Sequence, residues 1–589
     1  MISKKARRIC SMAAALTFTC STFGAFPASH SDKNDIVAAA AARFEFEDGT
    51  YGDKSALGDT IKGYSGTGYV DSQEGDISVT VTVDSTDVYD LTIGYCLPED
   101  RGGKVQDLYV NGTAQAQISF SPSDLFIELK VKNIKLNKGE NTVTMKKSWG
   151  WIIFDYLTVD KAVLPEIKAD KTLSDPDATE SAKSLMSYLV DTYGSHIISG
   201  QQEFYGTSRE DEFEYIYKLS GEYPAIRGFD FGETCPLYAW DAGTSNRIIS
   251  WAKEKGGIAT ASWHSNVPAV MNDYTLGQTM AFEKTTYSEK TDFVTANVLE
   301  EGTVEHDYFL LAVDNLAANL KKVQDAGVPL LFRPFHEAEG GGGTDGKKAW
   351  FWWGKEGCEV YKKLYAYLYD LLTQKYGLHN LIWEFNSYTY ENSKDWYPGD
   401  EYVDLVGYDK YNATDWTTST SKPNESAIAS TFYSLAEWYG EDGKPIAMME
   451  NDTIPSLDNL QSEKAAWLYF CPWYGDHLMS TNFNNPDTVK EMYQSDYCIT
   501  LDELPEDLYT VSGSDIPSGE IIYGDFDGNG KVDITDLTLL SLYLLNDMTF
   551  NSSQKKAADV NGNGDLNLAD LAHLKQYIMK DAVHLGPEA

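Results

Sequence analysis

Between residues 177 and 510 the sequence repeats one pattern eight times: a short apolar run, a polar break, then text of helical period. The runs are His196–Ser199, Pro224–Phe229, Gly257–Trp263, Val328–Phe335, Asn380–Phe385, Val403–Tyr408, Pro445–Met449 and Trp467–Cys471. Runs apolar at consecutive positions are strands covered on both faces, as in a parallel sheet flanked by helices. Helical stretches such as Glu180–Tyr193 and Val360–Tyr376, the latter stopped by Gly377, supply the crossovers. Eight β/α units predict a closed (β/α)8 barrel over residues 177–510. Such barrels carry their chemistry at the carboxyl ends of the strands. Two acids stand there, Glu337 in Arg333-Pro-Phe-His-Glu337 and Glu450 after Pro445–Met449. On separate strands of one barrel, two carboxylates can lie roughly 5–5.5 Å apart across a sugar. Glu384 and Asp404 lie within strand text and read as structural acids.

The rest of the chain is modular. Lys4, Lys5, Arg7 and Arg8 precede an apolar run from Ile9 to Phe26 that ends in small residues, so residues 1–28 read as a secretory signal peptide. No later stretch is long and apolar enough to predict a membrane span. Seven cysteines include Cys10 and Cys20 of the leader; the remaining five are scattered and odd in number, which excludes a dense disulfide framework. With 89 acidic against 48 basic residues, net charge −41, a nucleic-acid partner is excluded on electrostatic grounds. The 14 Trp, 38 Tyr and 24 Phe fit sugar stacking or a large aromatic core equally well.

Residues 43–160 alternate apolar and polar, as in Ile77–Val83 and Phe126–Val131, with turn dipeptides at Asp48-Gly49, Glu74-Gly75, Asn111-Gly112 and Lys138-Gly139. This predicts a β-sandwich. Residues 161–176 read as a linker, as do 511–520. Residues 521–589 contain a duplicated 12-residue loop, Asp525–Asp536 and Asp559–Asp570, each leading into a helix (Leu537–Leu545 and Leu571–Met579). A hard cation takes six to eight oxygens, and loop positions 1, 3, 5, 7, 9 and 12 supply them. Here these are Asp525, Asp527, Asn529, Lys531 (carbonyl), Asp533 and Asp536, then Asp559, Asn561, Asn563, Asp565 (carbonyl), Asn567 and Asp570. Position 12 is Asp rather than Glu, and no incoming helix is expected before either loop. The predicted architecture is multidomain: β-sandwich, TIM barrel, then a small α-helical EF-hand-like calcium domain.

Three resemblances follow from these strings. Both departures of the C-terminal loops resemble the type I dockerin, which implies two calcium ions, a cohesin domain on a scaffold protein as partner, and Ile534, Thr535, Leu568 and Ala569 facing it. Arg333-Pro-Phe-His-Glu337, followed by a glycine-rich loop and Ala349–Gly354, resembles glycoside hydrolase family 26, a family of retaining enzymes that are mostly endo-β-1,4-mannanases. That resemblance implies Glu337 as acid/base and Glu450 as nucleophile. It implies His264, His336, Asp409 and Tyr411 around the attacked sugar, with Trp350 and Trp473 stacking on rings. The expected substrate is β-mannan or galactomannan; mixed-linkage β-glucan or xylan, or a non-catalytic binding role, are the alternatives. Phe44–Glu47, Tyr64–Val70 and Gly150–Leu157 resemble a family 35 carbohydrate-binding module, implying calcium on Glu45, Glu47 and Asp155. Glu45 and Glu47 are expected on one side of a strand, and Trp149 and Trp151 on one strand face. The whole implies a secreted, extracellular enzyme of a cellulosome.

Overall fold

The computed structural model describes residues 43–73, 75–206, 208–416, 418–440, 442–509, 523–526, 531–532, 534–545, 552–563, 566–579 and 584–586. The expected leader, with Cys10 and Cys20, and the expected linker 511–520 lie outside them. Two compact units divide between Glu506 and Asp507.

All eight apolar runs form strands: β1 (Ile197–Gln202), β2 (Ile226–Asp230), β3 (Ile258–Trp263), β4 (Leu330–Pro334), β5 (Leu381–Asn386), β6 (Leu405–Lys410), β7 (Ile446–Asn451) and β8 (Tyr469–Pro472). They pair in parallel in chain order, and β1 pairs with both β2 and β8, so the sheet closes. The strands are buried on both faces, which is why they read as unbroken apolar text. The helix after β4 spans Cys358–Asp370, two residues earlier than expected, and widens into a π turn at Leu371–Lys375 before Gly377, whose φ of 61° ends it.

Ahead of the barrel, two antiparallel sheets form a sandwich. One runs Ala56–Gly58, Tyr69–Asp71, Ile153–Lys161, Asp87–Leu97, Ser123–Leu136; the other Thr50–Tyr51, Ile77–Val83, Gly139–Trp149, Lys104–Val110, Thr113–Phe120. Alternation works as read: Ile77, Val79, Val81 and Val83 are buried while Thr80 and Thr82 are exposed. Each such buried side chain contributes about 1.5–3 kcal/mol. Two expectations fail locally. Glu47 is not on a strand with Glu45, because Phe46 turns into the core and starts a 3-10 turn, Phe46–Asp48. Trp151 does not share a strand face with Trp149, because Gly150, at φ 80°, ends the strand between them.

The sandwich is strapped to the barrel's flank. Lys132 pairs with Glu437 at 2.8 Å, Lys464 with Asp87 at 2.7 Å and Lys146 with Asp415 at 2.7 Å; Lys135 Nζ donates to Asn459 at 2.6 Å. Residues 162–176 form no helix or strand yet lie against the barrel, where the Ser174 N–H donates to Asp404 and Leu173 is buried. Cys96, Cys235, Cys358, Cys471 and Cys498 are all buried, and none of them is in a disulfide. No helix among the described residues is long and apolar enough to cross a membrane.

The C-terminal unit has helices Ile534–Leu544, Ser552–Ala558 and Leu568–Ile578 around Phe526, Leu540, Val560 and Leu574. The two expected helices begin three residues early. Helix Ser552–Ala558 corrects the expectation that no helix enters the second loop: it runs directly into Asp559.

Candidate active site

The barrel mouth is organised by Arg333. Its side chain leaves β4 into the barrel interior, 1% exposed, and its guanidinium is shared: Nη1 donates to Asp409 Oδ2 of β6 at 2.9 Å and Nη2 to Glu450 Oε1 of β7. The Tyr411 hydroxyl donates to the other Glu450 oxygen at 2.8 Å. Glu450 therefore meets a cation on one oxygen and a hydroxyl donor on the other.

Glu337 is held differently. Beyond β4 the chain turns through Phe335 and Glu337, both at φ 52°, a left-handed conformation that costs a non-glycine residue about 1–3 kcal/mol. The turn is clamped by close packing. Asn386 Oδ1 accepts the Glu337 N–H at 2.9 Å, the Trp353 indole donates to the His336 carbonyl at 2.8 Å, and a Cβ on Gly354 would stand 1.8 Å from the Ala338 carbonyl oxygen. The Glu337 carboxyl accepts the Tyr388 hydroxyl at 2.7 Å and the Trp350 indole N–H at 2.8 Å. Burial, reinforced by the Glu450 charge, raises its pKa despite those two donors. One carboxyl is thus biased toward the acid and the other stands against arginine.

The two histidines divide likewise. His264 Nδ1 lies 2.5 Å from Asp230 Oδ2; burial disfavours the imidazolium, but the Asp230 carboxylate outweighs it and the pKa rises. His336 is pushed well below the usual range by burial, then by Arg333 and His264, whose ring stands edge-on at 4.5 Å. Beside His264 opens a cavity of about 370 Å³ lined by Tyr205, Asp230, Tyr287, Trp473 and Tyr474. Within the Trp350–Trp353 cluster, Phe351, Trp352 and Trp353 are buried as a cap on the barrel, and Trp350, 38% exposed, faces the mouth.

The structure thus brings Glu337, Glu450, His264, His336, Trp350, Asp409 and Tyr411 together, with Trp473 6.4 Å (ring centroids) from His264. Glu384 lies deeper in the barrel between Tyr469 (2.6 Å) and Thr260 (3.1 Å), pushed up to about 7 by burial. Asp404 accepts the backbone N–H groups of Ser174 and Trp383. Both are structural, as read. Four residues were missed: Asp230, Asn386, Tyr388, and the buried Glu339, which accepts the Tyr388 N–H at 2.8 Å and the Ser393 hydroxyl at 2.7 Å. Asp230 and Asn386 are the last residues of β2 and β5, so applying the strand-end rule to every strand finds them.

In the sandwich, Glu45, Glu47 and Asp155 gather around residues 65–68. Asp155 accepts the Ser65 N–H at 2.9 Å, Glu45 the Ser65 hydroxyl at 2.6 Å and Glu47 the Thr67 N–H at 2.7 Å. Asp155 is pushed up to about 6 by burial and then by the two glutamates. Glu47 Oε2 is buried with no hydrogen-bond partner, so the site has acceptor capacity for a hard cation. Elsewhere, one potential ligand atom each from Asp175, Asp177 and His379, two carboxylate oxygens and a ring nitrogen, lie within 4.8 Å of one another.

In the C-terminal unit, position-12 residues Asp536 and Asp570 are both fully buried. Asp536 accepts the Phe526 N–H at 2.7 Å and Asp570 the Asn567 N–H at 3.0 Å, while Asp559 accepts the Asn563 N–H at 2.9 Å. Buried carboxylates facing loops rich in Asp and Asn oxygens suit calcium. Asp525, Lys531 and Asn561 are described; Asp527, Asn529, Asp533 and Asp565 lie outside the described residues. Ile534, Thr535, Leu568 and Ala569 are exposed, the two apolar chains at 64% and 71%.

Two buried carboxyl groups with different partners, an arginine and a tyrosine for Glu450 and a tyrosine and an indole for Glu337, at the aromatic-lined mouth of a (β/α)8 barrel, define the class: a glycoside hydrolase. Residues 174–503 match the model of glycosyl hydrolase family 26, residues 42–162 that of carbohydrate binding module family 35, and residues 523–579 that of the dockerin type I domain. A mannan endo-1,4-beta-mannosidase of Thermothelomyces thermophilus is 35% identical over 452 residues, 75% of this chain and 86% of that protein. Mannan endo-1,4-beta-mannosidase B of a Piromyces species is 31% identical over 81% and 79%. A crystal structure of a ruminal family 26 endo-β-1,4-mannanase, 46% identical, superposes with a TM-score of 0.65 over 79% of this chain and 99% of that one. The Podospora anserina enzyme with a family 35 module, 31% identical, superposes with a TM-score of 0.52 over 80% and 99%. The chain belongs to glycosyl hydrolase family 26.

Proposed function

We propose that the chain is a secreted, retaining endo-β-1,4-mannanase acting on mannan and galactomannan, anchored to an extracellular cellulosome scaffold through its dockerin. The observation that carries this reading is the unequal treatment of the two acids. Glu450, against Arg333 and Tyr411, attacks the anomeric carbon and forms a covalent glycosyl-enzyme. Glu337, kept protonated by burial and by the Glu450 charge, gives its proton to the departing glycosidic oxygen. Once ionised, it takes a proton from the water that releases the sugar. His264, His336, Asp409 and Tyr411 orient the attacked ring, and Trp350 and Trp473 stack against neighbouring rings.

Calcium belongs to the modules, not to the reaction: two ions on Asp525, Asp527, Asn529, Lys531, Asp533 and Asp536 and on Asp559, Asn561, Asn563, Asp565, Asn567 and Asp570, and one on Glu45, Glu47 and Asp155. The cohesin partner docks on Ile534, Thr535, Leu568 and Ala569. The names of the relatives favour mannan over glucan or xylan. Reducing-sugar release from mannan, lichenan and xylan, compared side by side, tests this. Mannan is expected to be cut fastest; cleavage of lichenan alone rejects the mannan reading, and no cleavage of any of them rejects the enzymatic one. The anomer first released, followed by NMR, tests retention.

A further inference from the structure

Two loops meet beside Glu337, the one that follows β4 and the one that follows β5, and three hydrogen bonds brace them. Asn386 Oδ1 accepts the Glu337 N–H at 2.9 Å, Glu339 Oε1 the Tyr388 N–H at 2.8 Å, and the Gly343 carbonyl the Trp396 indole N–H at 2.8 Å. The other Glu339 oxygen accepts the Ser393 hydroxyl at 2.7 Å, and Ser393 Oγ in turn accepts the Tyr390 N–H at 2.9 Å. Within the first loop the Glu339 carbonyl accepts the Gly342 N–H at 3.0 Å. Gly342 lies so close to Tyr390 that a Cβ there would stand 2.8 Å from its ring. Glu339 is 3% exposed, and both of its carboxylate oxygens are engaged by the loop after β5.

One of these bonds closes a circuit. Tyr388 donates its N–H to Glu339 and its hydroxyl to the Glu337 carboxyl at 2.7 Å, and Glu339 follows Glu337 in the chain with only Ala338 between them. A tyrosine side chain turns about few torsions, each with preferred settings. With its N–H held and its ring 6.3 Å from that of Trp350, 5.7 Å from Tyr390 and 5.6 Å from Tyr408, the Tyr388 hydroxyl has one place to be. A carboxylate suits this pin because it is acceptor-only, with one oxygen for each donor, whereas an amide has a single acceptor oxygen. Burial pushes Glu339 up to about 7 against its two donors, and among the described residues no arginine, lysine or histidine pairs with it. The other titratable groups within its electrostatic reach, Tyr361, Tyr390, Tyr408 and Tyr439, are phenols that burial raises further, so they stay neutral near pH 7.

We propose that Glu339 is a positioning residue for the acid: by holding the Tyr388 backbone, it sets where the phenol meets the Glu337 carboxyl. The proposal rests on the reading of Glu337 as the acid. Glu339 itself is buried and has no free oxygen to offer a sugar, so it acts through Tyr388 alone. The Tyr388 hydroxyl favours the ionised form of Glu337. Releasing it therefore raises the pKa of the acid and lets the carboxyl turn away from the departing oxygen. The consequence falls on kcat, while KM, set by contacts that Glu339 does not make, holds.

The test is a double-mutant cycle on the full-length chain, reading kcat, KM and the pH profile of kcat/KM on the polysaccharide it cuts fastest. Glu339→Ala should lower kcat about three- to tenfold with KM little changed, and move the alkaline limb, where Glu337 loses its proton, to higher pH. Glu339→Gln should recover part of the loss by keeping an acceptor for the Tyr388 N–H. In the Tyr388→Phe background, Glu339→Ala should move the limb no further. A shift of equal size in both backgrounds overturns the proposal. So does a shift to lower pH, which the loss of a negative charge alone would give, or a loss of thermal stability with the limb unmoved. If Glu339→Ala does not fold, Ser393→Ala, which removes one of the two donors, takes its place with the same expected direction. A limb that moves for Tyr388→Phe but not for Glu339→Ala overturns the proposal alone. A limb that Tyr388→Phe itself leaves unmoved overturns the reading of Glu337 as the acid, and the proposal with it.

Discussion

The barrel mouth and the C-terminal loops both bury carboxylates, and they answer the burial cost in opposite ways. In the mouth the chain supplies the partners: Arg333 and Tyr411 for Glu450, and Tyr388 and Trp350 for Glu337. In the C-terminal unit, Asp536 and Asp570 accept backbone N–H groups amid further carboxylate and amide oxygens, and the balancing charge is to come from a cation. The first site is complete on folding and can be tuned residue by residue; the second, on the calcium reading proposed above, is tuned by a metal. Perturbations should separate the two.

The largest effect is expected at Glu450. Glu450→Ala should lower polysaccharide turnover by about 10⁴-fold or more, with azide restoring part of it by taking the place of the nucleophile. Next is Arg333→Met, which leaves Glu450 and Asp409 buried without their cation; thermal unfolding should show a loss of about 3–5 kcal/mol along with activity. Chelation should then erase the helical signal of residues 523–579 and spare hydrolysis, calcium restoring it. A helical signal indifferent to EDTA would contradict the contrast drawn here. A smaller effect, on the order of tenfold in kcat, is expected for Tyr388→Phe. The lost hydrogen bond favours the charged form of Glu337, so its pKa should rise further and the alkaline limb of kcat/KM move to higher pH, not lower.

The smallest effect belongs to the sandwich. Asp155 sits at about 6 in the fold against 3.8 as a free side chain, so its folded pKa is raised. The stability this gives is complete below the unfolded value and lost as pH rises through about 6. Without calcium the sandwich should melt a few degrees lower at pH 7 than at pH 4.5, a difference that calcium abolishes.

The barrel was legible because strands buried on both faces announce themselves as apolar runs, Glu450 because it ends such a run, and Glu337 because it closes the string Arg333-Pro-Phe-His-Glu337 just beyond one. Tyr388 was not, since it stands two residues past β5 in text that reads as loop. Its role exists only through the turn that brings Glu337 under its hydroxyl. Helix Ser552–Ala558 escaped because its sequence, Ser-Ser-Gln-Lys-Lys-Ala-Ala, has no apolar stripe; it buries Ala557 and Ala558, and Gln554 donates to the Phe526 carbonyl at 2.9 Å. Glu47 was placed on a strand because alternation suited it, when Phe46 needed the core and bent the chain.

The division of labour between the two acids is tested most directly by trapping the reaction midway. The full-length protein is incubated with a 2-deoxy-2-fluoro-β-mannosyl donor, and the labelled peptide is sequenced by mass spectrometry. The account predicts one sugar per chain, esterified to Glu450 and absent from the Glu450→Ala variant; a label on Glu337, Glu339 or Glu384 would contradict it.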